Sequence, residues 1–148
     1  MLILLLAVPV ILFDQLLKLL VVNTMSLNQS IPVITNVFHI TYVHNFGAAF
    51  GLLAHRTSFF ILVTLVVVFL LLIFLRHLPK EQKLLRAALV LQLGGAAGNL
   101  IDRVRLGYVI DFFDFRVWPV FNVADIAIVF GVGLLLLDLT RNAREKGV

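Results

Sequence analysis

Residues 94–125 read GGAAGNLIDRVRLGYVIDFFDFRVWPVFNVAD. The stretch leaves one long apolar run, gathers four aspartates within 24 residues (Asp102, Asp111, Asp114 and Asp125), and enters another apolar run at the last of them. Carboxylates are costly near hydrocarbon, so a chain that keeps them there has a use for them. The opening residues, Gly94-Gly95-Ala96-Ala97-Gly98-Asn99, set small side chains four apart, which lets a neighbouring helix pack closely. A polar junction flanked by a long apolar run at each end points to an all-α membrane fold.

The whole chain supports that reading. Of 148 residues, 61% are hydrophobic and 14% charged, with a mean hydropathy of +1.08; charged residues in soluble domains run near a quarter. Zero cysteines exclude disulfides, thiolate catalysis and cysteine metal sites. The net charge of +4 is accounted for by basic residues flanking apolar segments, so no nucleic-acid partner is expected. Four transmembrane helices are predicted, over about 2–22, 58–75, 84–102 and 122–139, in a single membrane domain. Each is long enough at roughly 1.5 Å per residue to cross a layer of about 30 Å. The first lacks the basic start and cleavage site of a signal peptide and is read as retained. Its Asp14 and Lys18 are spaced for an i, i+4 ion pair. Thr57 or Ser58 is a candidate cap for the second helix, whose run carries no charge and is expected to face lipid.

Residues 23–57 and 103–121 are predicted to lie outside the bilayer on one side. In the first, Val37 to Val43 alternates as a short strand would, suggesting a small extracytoplasmic β-sheet. The following Asn45-Phe46-Gly47-Ala48-Ala49-Phe50-Gly51 reads as a turn of small residues beside an amide. Seven Lys and Arg fall on the side holding the 76–86 loop and the C-terminal tail, against four on the other. Both termini are therefore expected to be cytoplasmic. Asp14, Lys18, Asn45, Asn99, Asp102, Arg103, Asp111, Asn122 and Asp125 all then fall toward the outer half of the membrane. A transporter would place such groups at the midplane, often in repeated halves, and no repeat is visible.

Such a cluster can hydrolyse a peptide bond only with a nucleophile, a base and a group that polarises the carbonyl. Ser26, Ser30 and Ser58 lie in no nucleophile motif. His39 and His44 differ by an odd number and are expected on opposite faces of a strand, and no metal-binding motif is present. Paired carboxylates remain: two aspartates held together share one proton, so one acts as base toward water and the other as acid toward the carbonyl. Which plays which part is open, because a coupled pair titrates as a unit. Asp102 reads as the salt-bridge partner of Arg103 or as a helix C-cap, and Asp114 reads as solvated. Asp111 lies in an apolar surround, and Asp125 stands three residues after Asn122, a spacing that also fits a capping box. Fourteen residues bent at Pro119 are enough to fold Asp111 and Asp125 together.

The motifs Asp14-Gln15 with Lys18, Asn45-Phe46-Gly47-Ala48-Ala49-Phe50, Gly94 to Arg103, Gly107-Tyr108-Val109-Ile110-Asp111-Phe112 and Phe121-Asn122-Val123-Ala124-Asp125 occur in this order over nearly the whole chain. Together they resemble the lipoprotein signal peptidases, also called signal peptidase II. The resemblance implies a multi-pass aspartic peptidase of the bacterial inner membrane, with four transmembrane helices and a small outer sheet. Its partners would be membrane lipid and diacylglyceryl-modified prolipoproteins, cut just before the lipidated lipobox cysteine. It also implies inhibition by globomycin. Carried over, the catalytic pair is Asp111 and Asp125, with Asp14, Lys18, Asn45, Gly98, Asn99, Arg103 and Asn122 lining or supporting the site. No cofactor or metal is expected, and the chain is expected to act as a monomer.

Overall fold

The computed structural model describes residues 5–47 and 56–145, apart from the side chains of 142–145. Seven elements follow one another: α1 (Ala7–Thr24), β1 (Ser30–Ile34), β2 (Phe38–Asn45), α2 (Thr57–His77), α3 (Lys83–Leu106), β3 (Val109–Asp114) and α4 (Val123–Glu145). All four helices are long and apolar enough to cross a membrane. The expected Ala48 to Gly51 turn lies outside the described residues.

Helix α3 is the centre of the bundle. It packs against α1, α2 and α4; α1 also touches α4, whereas α2 and α4 scarcely meet. Its small residues make these approaches possible. A Cβ on Gly94 would press on Val10 and Ala7 of α1, and one on Gly95 would run into the Ala124 carbonyl and Ile128 of α4. Apolar residues near the far end (Ala7, Leu75, Leu89, Val90 and Leu93) pack there, while Val21, Met25, Tyr42, Ile110 and Phe112 join α1 to the sheet. Most of α2 faces outward, with only Leu75 buried, as its uncharged run predicts.

Several helices are longer than the sequence reading placed them. α1 is shifted, not lengthened: it begins at Ala7 where residue 2 is expected and runs on to Thr24, whose hydroxyl donates to the Leu20 carbonyl at 2.7 Å, and Pro9 sits in its first turn, where no intrahelical N–H is required. α2 continues through His77, and Arg86 donates from α3 to the Leu75 and Leu78 carbonyls at its end. α3 extends one turn past residue 102 and stops where Gly107 turns left-handed (φ 84°), its N–H on the Arg103 carbonyl, the usual glycine exit from a helix. α4 also passes residue 139. Neither Thr57 nor Ser58 caps α2: Arg56 holds that position, and the Thr57 hydroxyl donates to the Gly107 carbonyl instead.

The sheet is antiparallel in the order β1-β2-β3 and sits at the end of the bundle where α1 and α3 finish and α4 begins. Only β2 was expected as a strand. β1 is an exposed edge strand whose pairing slips between Pro32 and Ile34, and Pro32, lacking an N–H, is tolerable only at an edge. Between β2 and β3 the register shifts between Ile40 and Val43, so Thr41 and Tyr42 together oppose Phe112. Beyond that bulge Val43 pairs with Asp111 and Asn45 with Val109. Asn45 therefore shares a face with Asp111; a ladder without the extra residue would turn it to the other face.

Candidate active site

α1 is amphipathic in the inverted sense suited to lipid. Ala7, Asp14, Lys18 and Val21 form its buried stripe, while Leu12, Phe13, Leu16, Leu19 and Leu20 are exposed. Asp14 and Lys18 are 0% and 2% exposed and form the expected ion pair at 2.8 Å. Removing two charges from solvent repays its cost only when their remaining polar atoms are also matched. Lys18 meets that condition through Asp102 at 2.8 Å and the Asn99 Oδ1 at 3.1 Å. For Asp14, Oδ1 accepts the Ala124 N–H at the start of α4 at 2.9 Å. Its Oδ2 lies over Gly98, where a Cβ would meet it at 2.8 Å.

Asn99 relays this cluster to α4. Its Oδ1 accepts from Lys18 and from Asn122 Nδ2, and its Nδ2 donates to Asp125 Oδ1 at 2.8 Å. Asn122 and Asp125 form the reciprocal capping box the spacing allowed: the Asp125 N–H donates to Asn122 Oδ1 at 2.9 Å, and the Asn122 N–H to Asp125 Oδ2 at 3.2 Å. Capping and a site role are thus compatible, because the cap fixes the carboxyl. Asn122 Nδ2 also reaches Asp111 Oδ1 at 2.6 Å, and Asn45 Nδ2 donates to Asp111 Oδ2 at 2.9 Å. One asparagine therefore holds both candidate carboxylates. Asp111, 1% exposed, is pushed up to about 7, first by burial and then by the neighbouring Asp125 carboxylate, against the amide donors of Asn45 and Asn122 and the charge of Lys18.

Two aspartates are not where sequence adjacency suggested. Asp102 pairs with neither Arg103 nor the helix terminus. It is buried, binds Lys18, accepts Gln15 Nε2 at 2.9 Å and accepts the Ile110 N–H at 3.1 Å, tying α1, α3 and β3 together. Arg103 instead donates to the Gly47 carbonyl at 3.3 Å and lies 5.1 Å over the Phe60 ring. Asp114 is buried rather than solvated: it accepts from Thr41 at 2.7 Å and from the backbone and guanidinium of Arg116. Burial alone would raise its pKa, but these donors hold it below the usual carboxylate range. Gln15, which bridges Gly98, Asp14 and Asp102, was not singled out for the site; an amide within an apolar helix is the signal for it.

The histidines stay apart, although the bulge sets His39 and His44, paired with Asp114 and Ile110, on one face of the sheet and not on the opposite faces expected. His39 bonds Ser30 of β1, His44 stacks on Tyr108 with 3.7 Å between ring centres, and His77 bonds the end of α2. His55 lies outside the described residues. Beside Asp125 runs a groove of about 350 Å³, otherwise lined by Trp118, Phe121, Ile126, Val129 and Phe130. A carboxyl at the edge of an apolar trough suits a ligand with a long hydrocarbon part and a polar reacting bond.

Comparison with known proteins agrees. The family model for signal peptidase (SPase) II matches residues 6–141. The lipoprotein signal peptidase of Moorella thermoacetica is 55% identical over 144 residues, covering 97% of this chain and 96% of that one. That of Halothermothrix orenii is 52% identical over 130 residues, covering 88% and 89%. A bacterial membrane enzyme solved by the in meso method at 2.3 Å superposes with a TM-score of 0.91 at 35% identity, over 96% of this chain and 89% of that one. With the family model spanning residues 6–141 and relatives more than 50% identical over most of their own length, the chain belongs to the signal peptidase II family of membrane proteases.

Proposed function

We propose that this protein is an aspartyl endopeptidase that removes the signal peptide from diacylglyceryl-modified prolipoproteins, cutting before the lipidated lipobox cysteine. The observation that carries the reading is that one residue, Asn122, donates to both carboxylates at the sheet end of a membrane bundle, its side-chain amide to Asp111 and its backbone N–H to Asp125. Two carboxyls so close keep one proton between them. The ionised member takes a proton from water as it attacks the scissile carbonyl, and the protonated member donates to the developing oxyanion. Lys18 and Arg103 supply positive charge nearby, and the groove beside Asp125 accommodates apolar parts of the substrate. In this reading the sheet faces the extracytoplasmic side, both termini are cytoplasmic, and the scissile bond meets the pair near the interface, where water is available.

The test is cleavage of a diacylated prolipoprotein in detergent. Asp111→Asn and Asp125→Asn are each expected to lower turnover by at least a thousandfold while still inserting and purifying as the parent does. Near-parental cleavage by either variant would refute the pair.

A further inference from the structure

Because α2 and α4 both pack on α3 yet scarcely touch one another, a lateral cleft opens between them, floored by α3. It encloses about 300 Å³ and is walled by Val67, Leu71 and Phe74 of α2 and Leu135 of α4, over Leu85 and Gln92 of α3. Gln92 is the one polar side chain in this lining, and its buried Nε2 has no hydrogen-bond partner among the described residues. An amide donor left unmatched in hydrocarbon is costly. Gln92 lies nine residues into α3, roughly 13 Å from the helix start at 1.5 Å per residue. Neither water nor lipid ester groups supply an acceptor at that depth.

The floor of the cleft is continuous with the site. Leu85, Leu89, Gln92, Ala96, Asn99 and Arg103 follow one another at alternating spacings of four and three, a single stripe along α3. Asn99 holds Asp125 and Arg103 holds Gly47. From Leu85 to Asn99 the stripe is 14 residues, about 21 Å, and signal-peptide apolar segments run about 7–15 residues.

We infer that this cleft takes the apolar helix of the substrate's signal peptide, and that Gln92 is a specificity-determining residue which donates to a hydroxyl side chain on that helix. The inference rests on the proposed function. It fixes a position: Gln92 precedes Asn99 by seven residues, so the favoured Ser or Thr lies roughly seven residues before the scissile bond.

The experiment uses the full chain in nanodiscs and diacylated prolipoproteins in which a single Ser is moved through an otherwise Leu/Ala apolar segment. The wild type is expected to show a maximum in kcat/KM near the seventh position, about threefold above its neighbours, the size of an average interhelical side-chain hydrogen bond in a bilayer. Gln92→Leu should flatten that maximum. In addition, a photoreactive residue at Leu135 should capture the signal helix, whereas one at Leu62, exposed on α2, should not; this arm decides the matter if Gln92→Leu fails to fold. A flat wild-type profile, a maximum that survives Gln92→Leu, or equal capture at both positions overturns the inference while leaving the peptidase reading intact. Absence of any cleavage by the wild type overturns that reading, and this one with it.

Discussion

Every polar atom of Asn122 is engaged: its N–H and Oδ1 with Asp125, its Nδ2 toward Asp111, Asn99 and the Ile110 carbonyl, its own carbonyl with the Ile126 N–H. Asn122→Ala should lose both the helix cap, about 1 kcal/mol, and the donor to Asp111, lowering the melting temperature and turnover together. Asn122→Asp keeps a capping oxygen but loses the same donor and sets a third carboxylate beside the pair at a fully buried position, so it should cleave poorly and melt progressively lower as rising pH ionises that carboxylate, a dependence that Asn122→Ala does not add. Thermal melts read alongside cleavage separate the two. The pH dependence follows from Asp111. Its pKa is raised from the ordinary 3.8 to about 7, so between those values the folded state binds more protons than the unfolded one, and stability falls as pH rises. Melting temperature should drop from pH 4 to 8 more steeply in the parent than in Asp111→Asn, and kcat/KM should decline above about pH 7 as the shared proton leaves. That Asp111, Asn122 and Asp125 come together was legible because their spacing and surroundings already constrain them. Asp102 and Asp114 were not: Arg103, next in sequence, looked like the partner of the first, and an exposed-looking stretch made the second read as solvated, whereas Gln15 and Thr41 come from 87 and 73 residues away.

Among the elements, the four helices were plain from apolar length and the helix-packing role of Gly94 to Gly98 from the spacing of small residues. Two of the three strands were hidden. β1 is five residues long, interrupted by Pro32 and exposed throughout, so no alternation marks it. β3 is buried on both faces apart from Phe113, which erases the period of two. The bulge that turns Asn45 toward Asp111 exists only in the pairing of β2 with β3 and leaves no local mark. The α3–α4 contact is testable by two glycines. Gly95→Ala meets the Ala124 carbonyl and must push α4 away from Asn99, whereas Gly133→Ala meets nothing within 4 Å. The first should lower the melting temperature and cut turnover at least tenfold; the second should be neutral or slightly stabilising, since alanine favours helix by about 1 kcal/mol over glycine. Equal behaviour of the pair would show that the close approach does not matter.

For the molecule as a whole, the absence of cysteine from the sequence makes the proposed orientation easy to read. Val117→Cys, at a position 92% exposed beside the sheet, should react with an impermeant maleimide added outside intact cells, and Lys80→Cys only after lysis; the reverse pattern would invert the topology. The buried cluster has a further consequence for how the protein is made. Lys18 finds Asn99 only 81 residues later in the chain, and at about 5–20 residues per second the ribosome needs roughly 4–16 seconds to deliver it. During that interval Asp14 and Lys18 have only each other, while the Asn99 and Asp102 contacts of Lys18 and Gln15 have not yet been synthesised. Release of nascent α1 into lipid is therefore expected to be more complete once the third span has been made, which membrane integration of chains truncated before Gln82 and after Leu106 would measure.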